Sequence, residues 1–124
     1  MINFELDQPK NLLVIRYSGA VVPAETEQGL EQIRSGLAKL KSSFRLLADL
    51  TKLESMDVAC APFIEKAMDM CNEKGTSLVV RVIPDPHRDI GLQIMSIFHY
   101  GGDVRVHTCE TLDQARELLE TYAN

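Results

Sequence analysis

No stretch of this 124-residue sequence approaches the roughly 20 consecutive apolar residues that cross a bilayer. The opening MINFELDQPK also lacks the apolar segment of a signal peptide, so neither membrane insertion nor export is expected. Positive charge is not in surplus: 13 Lys and Arg stand against 18 Asp and Glu, a formal net charge of −5. Sequence-independent binding of nucleic acid needs a basic surface that displaces counterions, so no nucleic-acid partner is expected. Cys60, Cys71 and Cys109 are odd in number and have no CxxC spacing, the pattern of free thiols in a reducing cytoplasm. Gly101 and Gly102 are followed by neither the lysine nor the helix of a phosphate loop. His107 and Cys109 stand two apart, but His87 and His99 are isolated and no second pair has ligand spacing. No metal and no cofactor are therefore expected.

What remains is an ordinary globular composition, 45% hydrophobic and 25% charged, with length for one domain, residues 1–124. Two β-type runs, INFELD and NLLVIRYSG, flank QPK and read as a hairpin. Pro23 opens a helix over 23–40, with Leu30, Ile33, Leu37 and Leu40 at helical spacing. FRLLADL (44–50) and SLVVRVI (77–83) read as strands around a helix over about 59–74, which Gly75 stops. A helix over about 86–100, a strand DVRVHT and a last helix follow; Thr111 and Gln114 have capping-box spacing.

The order ββαβαβαβα predicts an α/β fold with a mostly parallel five-stranded sheet in sequential order. One strand face would carry Leu13, Ile15, Tyr17, Phe44, Leu46, Ala48, Leu50, Leu78, Val80, Val82, Val104 and Val106. The other would carry Arg16, Asp49, Arg81, Arg105 and His107 among Leu12, Val14, Leu47, Val79 and Ile83. Right-handed crossovers between neighbouring strands put helices on one flank, so a helix-covered face and a half-open polar back are expected.

The segment RLLADLTKLESMDVACAPFIEKAMDMCNEKGTSLVVRVIPDPHRDIGLQI resembles the core of the STAS domains, the anti-sigma factor antagonists and their SpoIIAA-like relatives. In that family a strand ends in an aspartate, matched by Asp49, and a short loop leads to a second aspartate at a helix start, matched by Asp57. Gly75, Pro86 and Arg88 match further positions, and TLDQARELL echoes the closing helix. The resemblance covers about residues 11–120 and implies a SpoIIAA-like fold and a regulatory, non-enzymatic role through a protein partner or a homodimer. Phosphorylatable members carry DSSG or DSTG at the helix start. Here those positions read Asp57, Val58, Ala59 and Cys60, so the hydroxyls of the phosphate switch are missing. A phosphate would bring about −1.5 to −2 charges; neither Val58 nor Ala59 can accept one.

Asp57 is better explained as a helix cap than as a catalytic acid. Cys60 near a helix start has the position of a reactive thiol, yet it shares an apolar face with Phe63, Ile64, Ala67 and Cys71, which favours a buried, inert group. A second reading gathers Thr51, Ser55, Asp57, Asp85, His87 and Arg88 at the carboxyl ends of the strands, where a small anionic or hydrophobic ligand would bind. The 86–100 helix has a second apolar stripe, Leu92, Met95 and His99. With Met56 and Met70 it suggests a partner or dimer surface.

Overall fold

A computed structural model describes residues 1–83 and 105–122. Its sheet contains β1 (Ile2–Asp7), β2 (Leu12–Val21), β3 (Arg45–Met56), β4 (Leu78–Val82) and β5 (Arg105–Cys109). The strands lie in sequence order, β1 antiparallel to β2 and the rest parallel, as the sequence predicts. The described helices are α1 (Pro23–Lys39), α2 (Ala61–Lys74), preceded by a 3-10 turn at Val58–Cys60, and α3 (Leu112–Thr121). None is long and apolar enough to cross a membrane.

α1 buries Ile33 and Leu37, and α2 buries Ile64 and Cys71, against Leu13, Ile15, Leu46, Ala48, Leu50 and Val79. Gly29 lets α1 settle onto β1: a Cβ there would stand 3.0 Å from Phe4 Cζ. Gly75 closes α2 at φ 101, a conformation costly for any residue with a Cβ. Its N–H donates to the carbonyls of Cys71 and Asn72, and the Thr76 N–H donates to Cys71 as well. At α3 the capping box is formed in full: Gln114 N donates to Thr111 Oγ1, and Gln114 Oε1 accepts from Thr111 N.

Three expectations change. First, the helices do not all share a flank. α1 and α2 cover one face, whereas Ala115 and Leu119 of α3 pack on Leu12, Val14, Leu47, Leu78, Val80 and Val82 of the other. The crossover rule binds only helices that link two strands. α3 follows the last strand and is free to cover the remaining apolar surface. Second, β4 has the opposite phase. Val79 belongs to the α1–α2 face and Leu78, Val80 and Val82 to the α3 face. Arg81 is therefore not on the back with Arg16; it is buried on the α2 side, its Nη2 donating to Thr108 Oγ1 at 2.6 Å. A strand covered on both faces has no polar side to reveal its phase. Third, β3 runs on to Met56, because β2 continues beside it to Val21 through two register shifts. The expected loop between Asp49 and Asp57 is a strand.

The expected 86–100 helix, with Asp85, His87, Arg88, Leu92, Met95 and His99, lies outside the described residues.

Candidate functional site

The carboxyl ends of β2 and β3 deliver the chain to two helix starts side by side. Val21 pairs with Met56, and the Asp57 N–H donates to the Val21 carbonyl at 3.1 Å. From there β2 enters α1 through Val22 and Pro23, while β3 enters α2 through the turn at Val58–Cys60. Asp57 caps that turn: Oδ1 accepts from the Ala59 N–H at 2.9 Å. Its carboxylate thus satisfies an N–H that would otherwise be left over at the start of the turn.

Beside the exposed Asp57 the outward surface carries an apolar patch. Val58 is 53% exposed and Val22 45%; with Met1 they are the large hydrophobic side chains that stand exposed among the described residues. Ala59 is exposed beside them. A β-branched residue in the first exposed turn of a helix gains nothing from helix propensity. Val22 was not picked out by sequence reasoning. The available signal was an apolar residue directly before the proline that opens α1.

Beneath this surface the chemistry is closed off. Cys60 is fully buried, its thiol 3.7 Å from the Val21 carbonyl. Burial raises its pKa, and the nearby Asp57 and Glu25 carboxylates push the same way, against a Thr26 hydrogen bond. That is the reverse of the electropositive setting that makes a thiolate nucleophile. Cys71 is buried against Tyr17, and burial pushes its thiol up to about 12; Cys109 is raised for the same reason.

These thiols give a pH prediction. An unfolded Cys71 ionises near 9, so above that pH the unfolded chain sheds a proton the folded chain keeps. Stability is expected to lose up to about 1.4 kcal/mol per pH unit from this group as pH rises from 9 towards 12. Denaturant unfolding at pH 8 and pH 10.5 measures it. At pH 8 the three thiols of the native protein should label only as fast as it opens; rapid labelling of Cys60 would contradict its burial.

Of the ligand cluster expected at the strand ends, Thr51 lies within β3, half-buried, its N–H donating to Asp49 Oδ1 at 2.9 Å. Ser55 and Asp57 are exposed further along. Four residue steps along the strand put Thr51 about 13 Å from Ser55, so these described members do not converge. Asp85, His87 and Arg88 lie outside the described residues. Of the expected partner surface, Met56 is a core residue, 6% exposed, and Met70 is half-buried against the core. Met56 therefore does not offer a surface: the extra length of β3 turns it inward. His107 does not face a metal-type cluster but stacks on Tyr122, ring centroids 5.2 Å apart. Among the described residues no three His, Cys, Asp or Glu stand close enough to hold a metal ion.

The profile of the STAS domain matches residues 3–115. No curated protein sequence matches the chain. Among solved structures it is similar to the anti-sigma factor antagonist SpoIIAA in its unphosphorylated form, at 15% identity and a TM-score of 0.68, covering 97% of this chain and 98% of that one. A protein of the DUF3478 family with a SpoIIAA-like fold from Shewanella loihica is similar at 19% identity and TM-score 0.66, covering 96% and 92%. An anti-sigma factor antagonist from Mycobacterium paratuberculosis follows at 17% identity and TM-score 0.59, covering 97% and 95%. At these identities the likeness is one of fold.

Proposed function

The chain belongs to the STAS domain family, and from that premise we propose that it is a non-enzymatic regulatory domain. In this reading it binds a protein partner through the apolar surface at the starts of α1 and α2, centred on Val58. The observation that supports this reading is the exposure of Val58, 53%, at the turn where phosphorylatable members of the family carry a hydroxyl. Elsewhere in the family a phosphate would place about −1.5 to −2 charges on this turn. Val58 and Ala59 bring no phosphate-accepting hydroxyl to the turn, so beside the Asp57 carboxylate the contact surface keeps the state that an unmodified relative presents. Asp57 is engaged in capping and Cys60 is buried, which leaves shape and apolar area as the main features the surface offers. The SpoIIAA and Mycobacterium relatives are described as anti-sigma factor antagonists, which supports a protein partner for this chain as well.

Val58→Asp tests the reading. An exposed valine can be replaced without loss of core, but a carboxylate pressed into an apolar contact must be desolvated. Proteins retained from a native lysate by the wild type should be at least tenfold depleted with Val58→Asp, while Glu73→Lys, a change on the exposed far end of α2, should retain them. Equal retention by Val58→Asp would defeat the proposal.

A further inference from the structure

Arg45, the first residue of β3, is only 5% exposed. Its Nη1 donates to the Leu119 carbonyl at 2.6 Å and its Nη2 to the Lys10 carbonyl at 2.7 Å. Both acceptors are neutral. Among the described residues no carboxylate stands within ion-pair distance of this guanidinium. A buried cation without a counter-charge is a costly arrangement, only partly relieved by two carbonyl dipoles and the negative end of α3.

A groove of about 350 Å³ opens over Arg45 on the α3 side of the sheet, lined also by Lys10, Leu12, Leu47, Arg116, Leu119 and Glu120. Three cations thus face one carboxylate in a chain whose net charge is −5. Arg116 stands 3.5 Å from Asp113, but with 74% and 91% exposure that pair is screened by water and leaves Arg116 available. The floor consists of the edges of three leucines, flanked by the aliphatic stems of Lys10 and Arg116. The volume lies at the lower end of small-molecule sites, roughly 300–1,000 Å³, and is far too small for a folded partner. The groove sits at the amino ends of β2 and β3, where Leu12 pairs with Arg45; Val58 lies past the carboxyl end of β3.

We propose that this groove binds an amphiphilic anion of the medium-chain carboxylate class, its head on Arg45 between Lys10 and Arg116 and its tail along Leu12, Leu47 and Leu119. The carboxylate supplies the charge Arg45 lacks, and the tail covers leucine edges that a bare anion leaves wet. Nothing in this assignment depends on the Val58 surface.

Calorimetric titration with sodium octanoate below its micelle concentration tests it, with octanol and inorganic phosphate as separate arms and methyl spectra to locate the contact. Octanoate should bind and shift the Leu12, Leu47 and Leu119 methyls, with octanol and phosphate each at least tenfold weaker. Lys10→Glu combined with Arg116→Glu changes only exposed side chains and should weaken octanoate at least tenfold while the folded spectrum is kept. The assignment is overturned by an absence of octanoate binding or by shifts confined to other methyls. Octanol binding equally well would make the site merely apolar, and phosphate binding equally well would make it a tail-free anion site; either overturns it too. So would octanoate affinity unchanged in the double variant.

Discussion

Replacing Phe44 with alanine is expected to remove about 3–5 kcal/mol of folding stability. Phe44 is fully buried in the larger core cluster, at the point where the chain enters β3. Its surroundings cannot easily close over the space. The Phe44 carbonyl accepts from the Ser77 N–H at 2.9 Å and from the Ser77 hydroxyl at 3.1 Å, and the next residue donates from its N–H to the Asn11 carbonyl at 3.0 Å. The backbone is therefore held on both sides while the ring is removed, so lost transfer energy and an unfilled cavity add together. Against a total stability of about 5–15 kcal/mol for a domain of this size, the loss is about a fifth or more. Urea unfolding should show the midpoint falling with the slope unchanged. Phe44→Leu, which refills most of the volume, should cost much less. A loss below about 1 kcal/mol for the alanine variant would show that the site collapses, contrary to this account.

The second large effect is expected at Arg45→Met, a loss of about 2 kcal/mol. Methionine keeps the aliphatic length but has no donor for the Leu119 and Lys10 carbonyls. Two bonds from a charged donor are each worth about 1.5–3 kcal/mol, and relief from burying a guanidinium offsets part of their loss. The distinguishing sign is local. Arg45 ties the last turn of α3 to the β1–β2 hairpin, so amide exchange in Leu112–Thr121 should accelerate more than exchange in α1. Uniform acceleration across the chain would instead mean that Arg45 only supports the global core.

Several elements were legible because their signals are local. Pro23 and the 3–4 spacing of Leu30, Ile33 and Leu37 predict α1, Gly75 predicts the end of α2, and the Thr111–Gln114 pair predicts the start of α3; each is present. The burial of Cys60 and Cys71 followed from their place on one apolar helical face. Misreadings arose where a residue's environment depends on distant chain. The alternation of β4 suggests that Arg81 sits with the exposed arginines, yet in a strand covered on both sides it is buried and donates to Thr108 on β5. Met56 is expected on a partner surface, but β2 extends beside β3 as far as Met56 and the side chain is buried. Val22 and Val58 lie 36 positions apart in sequence, and only the pairing of Val21 with Met56 brings their two helix starts together.

By itself, then, the sequence determined the starts of α1 and α3, the end of α2, the order of the strands and the absence of a hydroxyl at the turn after Asp57. All of these follow from residue types acting over a few neighbours or from the handedness of short connections. Tertiary structure alone decided the phase of β4, the reach of β3 and the flank taken by α3, and it placed Arg45 under a basic groove. Those depend on which apolar surfaces are left to cover once the sheet has formed, and burial is a property of the whole assembly that no single segment encodes.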